Sequence, residues 1–116
     1  MAHRYIGIKD ITITPHAKYR ALERLGVGSK DTLKKMVLSA KVKGTDINYI
    51  TKDNYQEYGL TLEQFKYIKT LVHNQVSTYK YYYHNGIIYV MRGHKSRTLI
   101  TIMGLKDLRI ERDKNA

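Results

Sequence analysis

The clearest pattern of apolar and polar positions lies between Thr78 and Met103, where the runs Tyr79-Lys80-Tyr81-Tyr82-Tyr83 and Ile87-Ile88-Tyr89-Val90-Met91 flank Asn85-Gly86. Asn-Gly tolerates positive φ at both central positions of the tight turn whose twist matches paired strands, so this stretch predicts a β-hairpin. Pairing about that turn sets His84 opposite Ile87, Tyr83 opposite Ile88, Tyr82 opposite Tyr89 and Tyr81 opposite Val90, and directly opposed residues share a face. One face carries Tyr81, Tyr83, Ile88 and Val90 and calls for burial. The other carries Lys80, Tyr82, His84, Tyr89 and Met91 and is expected to be the wetter. A third strand follows the polar loop Gly93-His94-Lys95-Ser96. In it Leu99, Thr101 and Met103 alternate with Thr98, Ile100 and Ile102, and either set can face the core, since a slip of one residue exchanges them.

Helical periodicity precedes the strands. Thr14-Pro15 opens a first helix, with threonine to cap free amides and proline at the first helical position, and Gly26 closes it. On that helix Ala17, Ala21, Leu22 and Leu25 fall in one arc, while His16, Arg20 and Arg24 form a stripe at four-residue spacing. A second helix runs from Ser29 to about Lys43 and stops at Gly44, with Leu33, Met36, Val37 and Ala40 inward and Lys30, Lys34 and Lys41 outward. Residues 45–59 read as a polar connection without clear period. Thr61 and Gln64 then form a capping-box pair before Leu62, Phe65, Ile68, Leu71 and Val72.

The expected organisation is one domain: residues 1–13 an extended arm or edge strand, 14–75 helical, 78–103 an antiparallel meander and 105–116 a tail. Its class is α+β, with two or three N-terminal helices packed on one face of a C-terminal antiparallel sheet of three to four strands.

Composition changes this picture in one direction. The chain has 116 residues, a single-domain length, and no cysteine, which excludes disulfides, thiolate catalysis and cysteine-ligated metals. Lysine and arginine number 21 against 10 acidic residues, a formal charge of +11 that draws polyanions, among which nucleic acid is the leading partner, with RNA favoured. Eleven tyrosines supply rings that can stack on unpaired bases. No apolar run approaches the roughly 20 residues that span a bilayer and no secretory signal opens the chain, so the expected location is cytoplasmic, with no membrane partner.

The five histidines lack metal-ligand spacing, and there is no glycine-rich phosphate loop or dinucleotide fingerprint, so neither metal nor cofactor is implied. What remains suits metal-free cleavage of RNA. The 2′-hydroxyl is an internal nucleophile, and an enzyme has only to move two protons and stabilise charge on the phosphorane. The candidate catalytic residues are His16, Arg20, Arg24 and His84. Arg92, His94, Lys95, Arg97, Lys34, Lys41, Tyr82 and Tyr89 are the candidates for holding nucleic acid.

The string His16-Ala17-Lys18-Tyr19-Arg20-Ala21-Leu22-Glu23-Arg24, followed by a second helix and a meander ending Thr98-Leu99-Ile100-Thr101-Ile102, resembles the small His-x3-Arg-x3-Arg domains of bacteria and phages. Those domains are grouped with barnase-like, EndoU-like and RelE-like ribonucleases and toxins. The resemblance implies a metal-independent endoribonuclease acting through His16, Arg20 and Arg24, with Arg92 and Thr101 on the strands, and an acidic inhibitor as its partner. Two other readings fit the residues: a non-catalytic nucleic-acid-binding regulator, and a phage-type inhibitor that grips a host protein or ribonucleoprotein through Tyr82, Tyr89 and the 93–97 loop.

Overall fold

The computed structural model describes residues 7–105. The hairpin forms in the expected register: β3 (Tyr79–His84) pairs with β4 (Ile87–Arg92) so that Tyr82 faces Tyr89 and Tyr81 faces Val90. Asn85 and Gly86 take φ of 51° and 81°, the two positive angles the turn demands. The third strand, β5 (Thr98–Gly104), lies antiparallel on β4.

Two further strands complete the sheet. Thr12–Ile13 (β1), at the end of the expected arm, runs parallel to β5, and Thr45–Asp46 (β2), inside the supposed irregular connection, runs antiparallel to β3. The sheet therefore has five strands in the order β1-β5-β4-β3-β2 and is mixed, where three to four antiparallel strands were expected. Two-residue strands carry too little alternation to be read from sequence. The expected tail beyond Leu105 and the first six residues of the arm lie outside the described residues.

The open register of β5 is resolved by a bulge. Val90 opposes Thr101 but Met91 opposes Leu99, which leaves Ile100 as an extra residue. An inserted residue switches the alternation. Leu99 and Ile102 consequently reach the same face, beside Met91 and Tyr89, and both are fully buried. Neither alternating set could have supplied the core alone.

The helices are α1 (Pro15–Leu25), α2 (Lys30–Lys43) and α3 (Leu62–His73), each opened by the hydroxyl expected of it. Thr14 Oγ1 accepts from Ala17 N–H, Ser29 Oγ from Thr32 N–H, and Thr61 exchanges bonds with Gln64. Their placement corrects the expectation of helices on one face. Ala17 and Ala21 of α1 and Leu33, Val37 and Ala40 of α2 pack with Tyr89, Met91, Leu99 and Ile102. Phe65 and Ile68 of α3, with Ile47, Ile50 and Leu60 from the 45–61 connection, pack with Tyr81, Tyr83, Ile88 and Val90 on the opposite face. The supposedly wet face thus holds Tyr89 at 2% exposure. The reason is legible in β4: Ile87 to Met91 is an unbroken apolar run, the mark of a strand buried on both sides, whereas the alternation came from β3 near the sheet edge.

Where α2 turns into β2 the backbone is crowded. A Cβ on Gly44 would meet the Ala40 carbonyl oxygen at 2.4 Å and the Tyr83 carbonyl oxygen at 2.9 Å. Gly44→Ala should therefore cost about 1–3 kcal/mol, the range of an overpacked site, read as a lowered urea midpoint.

Burial also pushes the Tyr89 phenol up to about 12 and raises that of Tyr83. Both keep their protons in the folded chain while the unfolded chain begins to lose them near the ordinary tyrosine value of about 10. Their contribution to stability is thus fully present below about pH 10 and declines as pH rises toward 12. Thermal melts across that window should show a falling midpoint, and Tyr89→Phe should flatten the fall.

Candidate nucleic-acid interface

Helix α1 lies along β5 because its inner residues are alanines, small enough to bring helix and sheet close. At its N-terminal end Thr14 N–H donates to the Leu99 carbonyl at 3.2 Å and Thr14 Oγ1 to the Ile100 carbonyl at 3.2 Å. Toward its C-terminal end Arg24 Nη1 donates to the Ile102 carbonyl at 2.9 Å. Strand β1 covers β5 only as far as Leu99, so these helix side chains satisfy carbonyls that no strand reaches. Arg24 is thereby a structural tie.

The rest of the stripe is open. His16 is exposed and, among the described residues, makes no hydrogen bond or ion pair. Arg20 is paired with Glu23, whose carboxyl that bond holds below its ordinary value, and its guanidinium lies over the Tyr19 ring at 5.6 Å. His84 is far from His16 and the N-terminal end of this helix. It opposes Ile87, which opposes Gly104, whereas Thr14 docks at Leu99 and Ile100 near the other end of β5. Two strand spacings, roughly 10 Å, add to that separation. The four expected catalytic residues do not converge.

His84 instead lines an open groove of about 250 Å³ at the hairpin end with Lys43, Thr45, Glu57, Tyr58, Tyr83 and Asn85. The Asn85 amide nitrogen stands 3.3 Å from His84 Nε2. Among the described residues no three histidine or acidic side chains gather closely enough to hold a metal.

The densest chemistry is elsewhere, where α2, β3 and the β4–β5 turn meet. Lys41, expected outward, reaches over the sheet: its Nζ donates to the carbonyls of Lys95 at 3.0 Å and Ser96 at 2.8 Å and sits 5.3 Å from the Tyr82 ring centroid, a cation–π contact. Those carbonyls converge because Lys95 and Ser96 both adopt left-handed φ, 57° and 53°. Left-handed backbone costs a non-glycine residue roughly 1–2 kcal/mol. Hydrogen bonds from a charged donor, at about 1.5–3 kcal/mol, are of the size needed to hold it.

Burial, then the nearby charges of Arg97 and Lys80, holds the Lys41 ammonium below the ordinary lysine value. Lys80 pairs at 3.4 Å with Asp46, the carboxylate of this cluster, while the Arg97 side chain has no hydrogen-bond or ion-pair partner among the described residues and its Nε is sealed from solvent. Tyr82 is half-buried beside them. Lys80 was not among the expected binding residues, although its position two residues before Tyr82 on one face was the available signal.

The remaining candidates scatter. Arg92 is exposed, but by register it shares the face of Val90 and Thr101, across the sheet from Lys41. Lys34 is half-buried two turns before Lys41, and Lys95 is exposed in the turn. Tyr89, expected to be available to a ligand, is buried beneath α1 and α2. The side chain of His94 lies outside what is described.

If Arg24 is a tie and Arg20 is not, the two arginines must differ in stability effect. Arg24→Met should cost about 1–3 kcal/mol, the penalty of stranding a buried carbonyl, and Arg20→Met should leave the denaturation midpoint nearly unchanged.

Compared with protein-family models, with curated proteins and with solved structures, the chain matches none of them.

Proposed function

We propose that this protein binds single-stranded nucleic acid, RNA in preference, through the surface where α2, β3 and the 93–97 turn meet. The observation that carries the reading is the gathering of Lys41, Lys80 and Arg97 against one carboxylate, Asp46, beside the Tyr82 ring. A folded chain keeps like charges this close at a cost in repulsion, and a polyanion relieves it. Tyrosine beside cations supplies a stacking surface tolerant of any base. The overall charge of +11 extends the attraction beyond the cluster.

The binding constant for a single-stranded oligoribonucleotide should fall with salt on a log–log plot, with a slope of about 0.7 per phosphate engaged. Lys80→Gln with Arg97→Gln should weaken binding at least tenfold and reduce that slope, as measured by fluorescence anisotropy. An unchanged affinity in the double variant would remove this surface from the interface.

A second reading, metal-independent endoribonuclease, is favoured by one observation: His16 stands exposed with no structural duty, one turn from Arg20. Cleavage of labelled RNA in EDTA, abolished by His16→Ala, would establish it. Binding without cleavage leaves the protein a non-catalytic binder.

A further inference from the structure

We propose that the cluster of Lys41, Lys80 and Arg97 is a seat for a phosphate monoester at the end of a nucleic-acid strand, in preference to the phosphodiesters along it. The inference rests on the binding function proposed above and specifies which phosphate occupies the surface.

Charge is the first argument. Three cations and one carboxylate leave a local excess of two positive charges. A phosphate monoester carries about −1.5 to −2 near neutral pH and three terminal oxygens. An internal phosphodiester carries one negative charge and two such oxygens, and would leave the cluster unbalanced.

Donor geometry points the same way. Lys41 spends two of its three N–H donors on the Lys95 and Ser96 carbonyls, and Lys80 directs one toward Asp46. The guanidinium of Arg97, five donors in a planar fork, is bound to nothing among the described residues. Such a set offers more hydrogen bonds than two diester oxygens can absorb, and the fork matches phosphate oxygens two at a time.

Access is the third. Lys41 is held by both the Tyr82 ring and the carbonyls of the 93–97 turn, so its charge is already placed and the turn's backbone occupies the space on its carbonyl side. A terminal phosphate needs a single approach. An internal one needs chain to enter and leave.

The test compares one single-stranded oligoribonucleotide bearing a 5′-hydroxyl, a 5′-phosphate, the methyl ester of that 5′-phosphate, or a 3′-phosphate, each titrated with the whole chain by fluorescence anisotropy. The methyl ester keeps the phosphorus and removes the second charge. A monoester at one end should bind at least tenfold more tightly than the methyl ester, and the end that does so identifies the strand polarity. In Lys80→Gln and in Arg97→Gln the advantage should shrink below threefold with the melting temperature unchanged. These two are chosen because, unlike Lys41, neither holds the turn. Equal affinity for all four oligonucleotides would overturn the terminal seat and leave nucleic-acid binding intact. An advantage that survives in both variants would overturn its location, and no binding by any of the four would remove both proposals.

Discussion

Backbone carbonyls at the outer edge of β5 constrain much of the molecule. Strand β1 is two residues long and satisfies the edge only to Leu99, and the bulge at Ile100 then turns the carbonyls of Ile100 and Ile102 toward the same side. Unpaired polar backbone in a packed interior is expensive, so something must donate to them. Thr14 and Arg24 do, from opposite ends of α1, which fixes the helix along the strand and presses Ala17 and Ala21 into the core. A histidine-arginine-arginine stripe at four-residue intervals therefore contains one residue whose first duty is to the sheet.

How much of this was legible in the sequence depends on how local the deciding contacts are. The hairpin register, the Asn85-Gly86 turn, all three helix caps and most inward residues of the helices follow from neighbours in the chain and were readable, whereas Leu22 and Leu62, expected inward, are 56% and 51% exposed. The two short strands were not, because Thr12–Ile13 and Thr45–Asp46 are defined by partners far along the sequence. The second helical layer was missed by giving the alternation of β3 more weight than the continuous apolar run of β4. In the candidate interface, Arg97, Lys41 and Tyr82 were readable as types, but their meeting depends on left-handed backbone at Lys95 and Ser96, which neither residue type advertises. Tyr89 illustrates the opposite error, an aromatic residue read for stacking that the core had claimed.

The two regions of interest are built differently. On α1 the exposed charges are held by local pairs such as Arg20 with Glu23, which solvent screens and which leave the side chains free to adapt. At the meeting of α2, β3 and the 93–97 turn, a cation is held by backbone carbonyls and an aromatic ring, so its position is set before any ligand arrives. Preorganised charge is worth more in recognition than mobile charge, because less ordering remains to be done on binding. That difference, more than the number of basic residues, distinguishes this cluster from the rest of a positive surface.

The parallel pairing of β1 with β5 has a consequence for the order in which the chain can fold. Thr12 and Ile13 find their partners only at Thr98 and Leu99, and Arg24 finds its acceptor at Ile102, so β1 and α1 have no strand to dock on until β5 has been synthesised. The hairpin of β3 and β4 can form early from neighbouring residues, whereas the α1 layer must wait for closure of a loop of more than seventy residues. Until then the apolar arc of α1 lacks the strand that buries it, and the positive charge of the chain opposes its association with other unfinished copies.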